Sequence, residues 1–404
     1  MSWFGEWLLT GPQRAWTGAQ AALVRKPSWN RRFWTLVIAI KGGAWAVARH
    51  VSVCRLLTDH AIPSFLLSSD VTIDMTVLAP ADAGKEPILG EVYTLTGSHT
   101  AHPSSSMAIL YLHGGAFCCC SSRTHRGLLS QLTLLTGATI FAVDYRRPPE
   151  HPCPAGIEDT LRVYMHLVEA GRLTPERTLV AGDSAGGGLA LAALVALRQR
   201  GGTPLPAAGM LLSPWCDLAD TMSGSWREHH LTDYLPRHLA TLFASAYAGN
   251  RPLHDPAVSP LHAELSGLPP LIIEAGGCEV LLDQIRRLAK KARAVQHFHF
   301  LASVPPLVLP HVPHAAALAP LSFPMRPNAH IRAPRIPRQA SEAGVAVELN
   351  VAPEMVHVHQ LFAFVADAQT PQPQQSMDRL AEFVRRVNRT QEMSVPEAQL
   401  GRLT

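Results

Sequence analysis

The stretch Leu179-Val180-Ala181-Gly182-Asp183-Ser184-Ala185-Gly186 ends an apolar run on a serine framed by glycines, in the spacing G-x-S-x-G. A helical pattern, SAGGGLALAALVALRQR, follows and is closed by Gly201 and Gly202. Small residues at a strand-turn-helix junction permit a tight turn that lifts the Ser184 hydroxyl out of a sheet. The helix start behind it offers N–H groups and a positive dipole end to a developing oxyanion. Ser184 is therefore a candidate nucleophile for acyl transfer; the bland reading is a packing turn.

A serine nucleophile needs a base, and the base an orienting acid. After the strand-like PPLIIEAGG, the residues CEVLLDQ offer Glu279 and Asp283. Glu279 stands nearer the strand end, whereas Asp283 falls into the next helical stretch. After VAVELNV, the residues APEMVHVHQLF offer His357 and His359. Spacing alone does not choose between them, and the one not used reads as a surface histidine. Upstream, LHGGAFCCCSS places Gly114 and Gly115 behind another apolar run. Glycines there allow close backbone approach, so their N–H groups, with that of Ala185, are candidates for an oxyanion hole. Adjacent Cys118, Cys119 and Cys120 cannot easily present three thiolates tetrahedrally, and no CxxC pair complements them. They read as small apolar filler near the acyl site rather than a metal or redox site.

These residues need a scaffold. VTIDMTVLAP alternates like a half-buried strand, and MAILYLHGG, TGATIFAVDYR, RTLVAGDS, AAGMLLSPW and PPLIIEAGG are apolar runs bounded by turn residues. Helical patterns such as IEDTLRVYMHLVEAG lie between them, which predicts an α/β fold with a mostly parallel, right-handed sheet flanked by helices. Residues 70–294 and 340–388 carry this core, with 389–404 a tail. Residues 216–255 lack strand patterns and are expected to contribute to a lid. Residues 1–69 read as a helical N-terminal cap. Its most apolar part, Phe33 to Ala48, is interrupted by Lys41 and Gly42-Gly43, short of the roughly 20 residues a bilayer span needs. Trp7, Trp16, Trp29 and Trp34 with the basic KPSWNRR also allow peripheral membrane contact.

Composition narrows the function classes. The 404 residues are 47% apolar, enough for a large core, and the net charge of +4 is spread without a basic run, so nucleic acid is not an expected partner. Seven cysteines are too few for a disulfide scaffold, and MSWFGEWLLTGPQRAW lacks a secretory pattern. An intracellular, cytoplasmic setting is expected.

Residues 295–339 differ from all of this. They hold nine prolines and five histidines and no glycine, lysine, aspartate or glutamate, which argues for an irregular insert. Its HxH (297, 299) and HxxH (311, 314) lack an acidic second shell or regular scaffold, so a metal site is not expected. Glu279 and His357 lie 78 residues apart, 45 of them in this segment. Valine codons begin GT and glutamine can be encoded by CAG, so the ends are compatible with a retained intron; the alternative is a genuine lineage-specific loop.

Taken together, HGGAF (113–117), DYRRPPEHPCPAGIED (144–159), GDSAGG (182–187), SPWCDL (213–218), DPAVSPL (255–261) and LPPLIIEAGGCEVLLD (268–283) resemble the hormone-sensitive-lipase branch of the α/β-hydrolase fold, including arylacetamide deacetylase-like esterases. The resemblance implies Ser184 as nucleophile, Glu279 as acid and His357 as base, with Gly114, Gly115 and Ala185 at the oxyanion. Ala116 stands where the family often has glycine and retains an N–H. RRPPEHP alters the family's usual Arg-Leu-Ala-Pro-Glu-His-Pro, which puts the support around Glu150 in question. The implied activity is carboxylic-ester hydrolysis on a small apolar ester, with no metal or organic cofactor. The alternatives are amide deacetylation by the same residues and a non-catalytic ligand-binding protein on the same fold.

Overall fold

The computed structural model describes residues 26–47, 51–60, 68–82, 84–97, 107–222, 224–302 and 346–394. In chain order the helices are α1 (Arg31–Val47), α2 (Val51–His60), α3 (Arg126–Thr136), α4 (Ala155–Glu169), α5 (Ser184–Arg200), α6 (Ser225–His229), α7 (Arg237–Ala248), α8 (Leu282–Ala302) and α9 (Gln372–Ser394). The strands are β1 (Val71–Ala79), β2 (Ile88–Leu95), β3 (Ala108–Leu112), β4 (Thr139–Val143), β5 (Thr178–Asp183), β6 (Ala208–Leu212), β7 (Leu271–Gly276) and β8 (Val347–Ala352).

They form one sheet in the order β1-β2-β4-β3-β5-β6-β7-β8. Only the β1–β2 and β2–β4 pairs are antiparallel. The central strands are buried on both faces, which is why they read as unbroken apolar runs. Alternate residues serve opposite layers. Leu110, Val180, Leu211 and Ile273 pack with α4, α5 and α8, while Ile109, Leu179, Met210 and Ile272 pack with α3 and α9.

Strand β2, ILGEVYTL, was not among the expected strands. Its burial is nearly continuous from Gly90 to Tyr93, so no clean alternation marks it in the sequence. Helix α8 is a second difference: it runs to Ala302, eight residues into the segment read as irregular. VQHFHFLA contains no proline, and the first two stand at 305 and 306, so nothing local ends the helix sooner. The rest of that segment lies outside the described residues. The Arg293 Nε donates to the Val347 carbonyl at 3.2 Å, so the helix before the segment touches the strand after it.

Trp29 and, on α1, Phe33 and Val37 form a stripe at four-residue spacing that turns inward onto Tyr234, Met355, Val356 and Phe362. Trp7 and Trp16 lie outside the described residues. No helix among the described residues is long and apolar enough to cross a membrane.

Candidate active site

Strand β5 delivers its last residue, Asp183, directly to α5, which begins at Ser184. Ser184 has φ +52°, in the left-handed region that a serine rarely adopts. The neighbouring strand comes so close that a Cβ on Gly186 would sit 2.0 Å from the Leu112 carbonyl oxygen. Only glycine fits there, so the G-x-S-x-G spacing follows from close packing as much as from chemistry.

The Ser184 Oγ lies 2.7 Å from Nε2 of His357. Of the two candidate histidines, His357 therefore meets the serine. His359 is fully buried, so the expectation of a surface histidine is corrected: it points into protein behind the site, not to solvent. Asp283, already in α8, instead accepts the Ser225 N–H at 2.8 Å. Glu279 places Oε2 3.9 Å from His357 Nδ1, beyond hydrogen-bond length. That oxygen accepts the Ser213 hydroxyl at 2.6 Å and the Gly276 N–H at 2.9 Å. The other oxygen, Oε1, and His357 Nδ1 are both buried without a hydrogen-bond partner.

Burial governs the ionisation here. It pushes the Glu279 carboxyl well above the ordinary range, helped by the charge of Asp233 and opposed by Ser213 and Gly276. It lowers His357 to about 3, so the imidazole is neutral at physiological pH and able to accept a proton.

The oxyanion loop corrects one expectation. The Gly114 N–H donates to Asp183 Oδ1 at 2.9 Å and is not free for an oxyanion. No hydrogen bond to another described residue engages the N–H of Gly115, Ala116 or Ala185. Asp183 also accepts from the Tyr111 hydroxyl at 2.8 Å and lies 3.2 Å from His125 Nε2. Burial alone would raise Asp183, but His125, Tyr111 and Gly114 hold it below the ordinary range; burial would lower His125, but Asp183 raises it. The buried, hydrogen-bonded Asp183–His125 pair thus fixes the loop to the residue before the nucleophile. The loop is strained, with positive φ at Gly115, Ala116, Phe117 and Cys120.

The α2 side chains dock on this loop. The Arg55 Nε donates to the Cys118 carbonyl at 3.0 Å, and its guanidinium also holds Glu150 and the Pro148 carbonyl. The Thr58 hydroxyl accepts the Cys120 N–H at 3.1 Å. Glu150, whose support was in question, is therefore paired with Arg55. Cys118 and Cys119 pack with Cys54, Leu239 and Phe243, and Phe117 stacks on Tyr247 at 3.7 Å between centroids. No cluster of three metal-ligating side chains occurs among the described residues.

Asp183, Ser213, Asp233 and Arg55 were not singled out from the sequence. Asp183 and Ser213 sit inside recognisable motifs, but Asp233 and Arg55 act from outside the sheet, where no spacing rule reaches.

A mostly parallel eight-stranded sheet with a strained serine at a strand-helix junction defines the class, and residues 109–314, half of the chain, match the family described as the alpha/beta hydrolase fold. The chain belongs to that family. It is 46% identical over 185 residues to an acetyl-hydrolase of Streptomyces hygroscopicus, covering 46% of this chain and 61% of that one. To an esterase of Acinetobacter venetianus it is 37% identical over 194 residues, covering 48% and 63%. The match therefore spans less than two thirds of the length of these relatives. Among solved structures, an esterase from the bacterial hormone-sensitive lipase family superposes with a TM-score of 0.67 at 30% identity, over 91% of this chain and all of that one. An esterase/lipase from an uncultured bacterium gives 0.68 at 26% identity, over 89% and 99%.

Proposed function

We propose that the protein is a serine carboxylic-ester hydrolase. The observation that carries this reading is the 2.7 Å contact between the strained Ser184 hydroxyl and the neutral His357 imidazole. His357 Nε2 takes the serine proton as Oγ attacks the acyl carbonyl. The oxyanion is received by the N–H groups of Gly115 and Ala185, with Ala116 beside them, in place of Gly114. His357 then gives the proton to the departing alkoxide. Water, deprotonated by the same nitrogen, releases the acid from the acyl-enzyme. Glu279 stabilises the imidazolium and orients the ring. Closing the 3.9 Å gap between the Glu279 carboxyl and His357 Nδ1–H would give that orphaned buried nitrogen a partner, the kind of contact that tightens when positive charge develops.

The names of the bacterial relatives support an ester substrate. The substrate class we favour is acetyl or short-acyl esters of apolar alcohols. Tyr234 beside His357 and the Phe117–Tyr247 stack would supply apolar wall. Hydrolysis of p-nitrophenyl acetate and butyrate by the wild type and Ser184→Ala tests the reading. The variant should lose activity by about 10⁴-fold or more with its fold intact; equal rates would sink the proposal.

A further inference from the structure

Asp233 lies in the lid segment between α6 and α7, is fully buried, and takes no part in the chemistry above. Its carboxylate accepts three backbone N–H groups from three parts of the chain. Oδ2 accepts Val280 at 2.8 Å, next to the acid Glu279. Oδ1 accepts the N–H of His357 at 3.2 Å and of its own neighbour Tyr234 at 2.8 Å. The same segment is held down on both sides. The Thr232 hydroxyl donates to the Cys278 carbonyl at 3.2 Å, and Lys41 Nζ of α1 donates to the His230 carbonyl at 2.8 Å.

We propose that Asp233 is a positioning residue of the hydrolytic site, whose carboxylate joins the acid turn to the histidine turn and sets the spacing of Glu279 and His357. The inference rests on the hydrolase reading, because only there does that spacing matter. The acid and the base make no hydrogen bond to each other in this structure, so their relative placement depends on ties between their turns. The Cys278 N–H donates to the Met355 carbonyl at 2.8 Å, and the Ser213 hydroxyl donates to Glu279 and accepts the Val358 N–H. The Asp233 carboxylate adds a charged tie to these. Asp233 is bonded to both turns at once. A carboxylate suits this place because all three of its partners donate; a protonated acid would turn one oxygen's O–H toward an N–H.

The tie is also sensitive to pH. The groups facing Asp233 are Lys41 from α1, Cys278 and Glu279 from the acid turn, Tyr234 on its own segment, and His357. Burial raises Asp233 to about 6, against the pull of the three N–H groups and Lys41. Burial lowers His357 to about 3, well below the limb assigned to Asp233.

Asp233→Asn keeps the shape and one acceptor but sets an amide N–H₂ against one of the donors. Its kcat on p-nitrophenyl butyrate should fall roughly 10- to 100-fold with KM within about threefold. The wild-type limb in kcat near pH 6 should vanish in the variant, and loss of the Asp233 charge should move the Glu279 titration downward. A merely structural role would lower stability and leave the limb in place, and an unchanged limb or unchanged kcat overturns the proposal. Hydrogen exchange on the unmodified wild type gives a second reading that needs no activity. Protection of the Val280 and His357 amides, corrected for intrinsic rate, should drop at least about tenfold from pH 7.5 to pH 5. Unchanged protection overturns the tie even if the protein is an esterase; a wild type no faster than Ser184→Ala overturns the hydrolase reading instead.

Discussion

Glu279 keeps Oε2 on Ser213 and Gly276, 3.9 Å from His357 Nδ1, while its Oε1 and that nitrogen are both buried without a partner. In the proposed mechanism it acts when His357 becomes charged, because the imidazolium favours the ionised carboxyl that burial otherwise opposes. Glu279→Gln preserves the volume and removes the charge, so kcat should fall about 10³- to 10⁴-fold while substrate binding stays close to normal; steady-state kinetics on p-nitrophenyl butyrate measures this. Gly114 offers a second residue-level test. A Cβ there would fall 2.2 Å from Asp183 Oδ2, displacing the carboxylate that anchors the oxyanion loop. Gly114→Ala should therefore cost about 10²-fold or more in kcat although its own N–H does not face the oxyanion. A rate within threefold of wild type would refute that anchoring. At this scale the sequence was informative where a residue type is forced by geometry. Ser184 needs its glycines, and the acid and base need the strand ends. Asp233 was not legible, since a lone aspartate in a stretch without strand pattern reads as a solvated side chain until the fold buries it.

At the scale of elements, the oxyanion loop is the strained part, and α2 holds it from the side away from Asp183 by Arg55 and Thr58. Three non-glycine residues with positive φ, Ala116, Phe117 and Cys120, would relax unless fixed from outside. Arg55 of α2 meets that need through the Cys118 and Pro148 carbonyls and Glu150. Arg55→Ala should lower kcat about tenfold, and Arg55→Lys should not restore it, because an ammonium cannot serve three acceptors in a planar fork. Comparing the two variants on the same ester checks this; full activity in either would contradict it. The core strands were legible from their apolar runs, since both faces are covered. Strand β2 was not, because its identity comes from pairing with β1 and β4 rather than from its own pattern. The end of α8 was misplaced because composition changes before the prolines begin.

For the whole molecule, the balance of buried ionisable groups predicts how stability follows pH. Burial lowers His113, His357 and His359 to about 3 each, so all three enter the fold neutral. The unfolded chain takes up their protons as pH falls below about 6.5, and each costs up to about 1.4 kcal/mol per pH unit down to the folded value. Asp233, raised to about 6, and Glu279, also raised, act in the opposite sense, because the fold binds their protons first. Their gain ends near the ordinary carboxyl range, where loss of the lowered Asp183 begins. Stability by denaturant titration should therefore decline gently from pH 6.5 to about 4 and steeply below; a rise across pH 4 to 3.5 would contradict this. The contact between Arg293 and Val347 carries a separate expectation about the 295–339 segment. Joining Ala294 to Ala340 should leave the fold and ester hydrolysis within a fewfold of the full chain, since the elements on either side already meet. Loss of both would show that the segment is required. The transcript decides whether these codons are an intron.

The central claim concerns one atom in the intact 404-residue chain, the Ser184 Oγ beside His357. An activated serine oxygen attacks the phosphorus of a fluorophosphonate, forming a P–O bond as fluoride leaves and the base takes the hydroxyl proton. Intact-mass measurement followed by peptide mapping should find one phosphonyl group per chain, on Ser184, forming far more slowly in His357→Ala and not at all in Ser184→Ala. An unmodified wild type, or a label on another residue, would contradict the account.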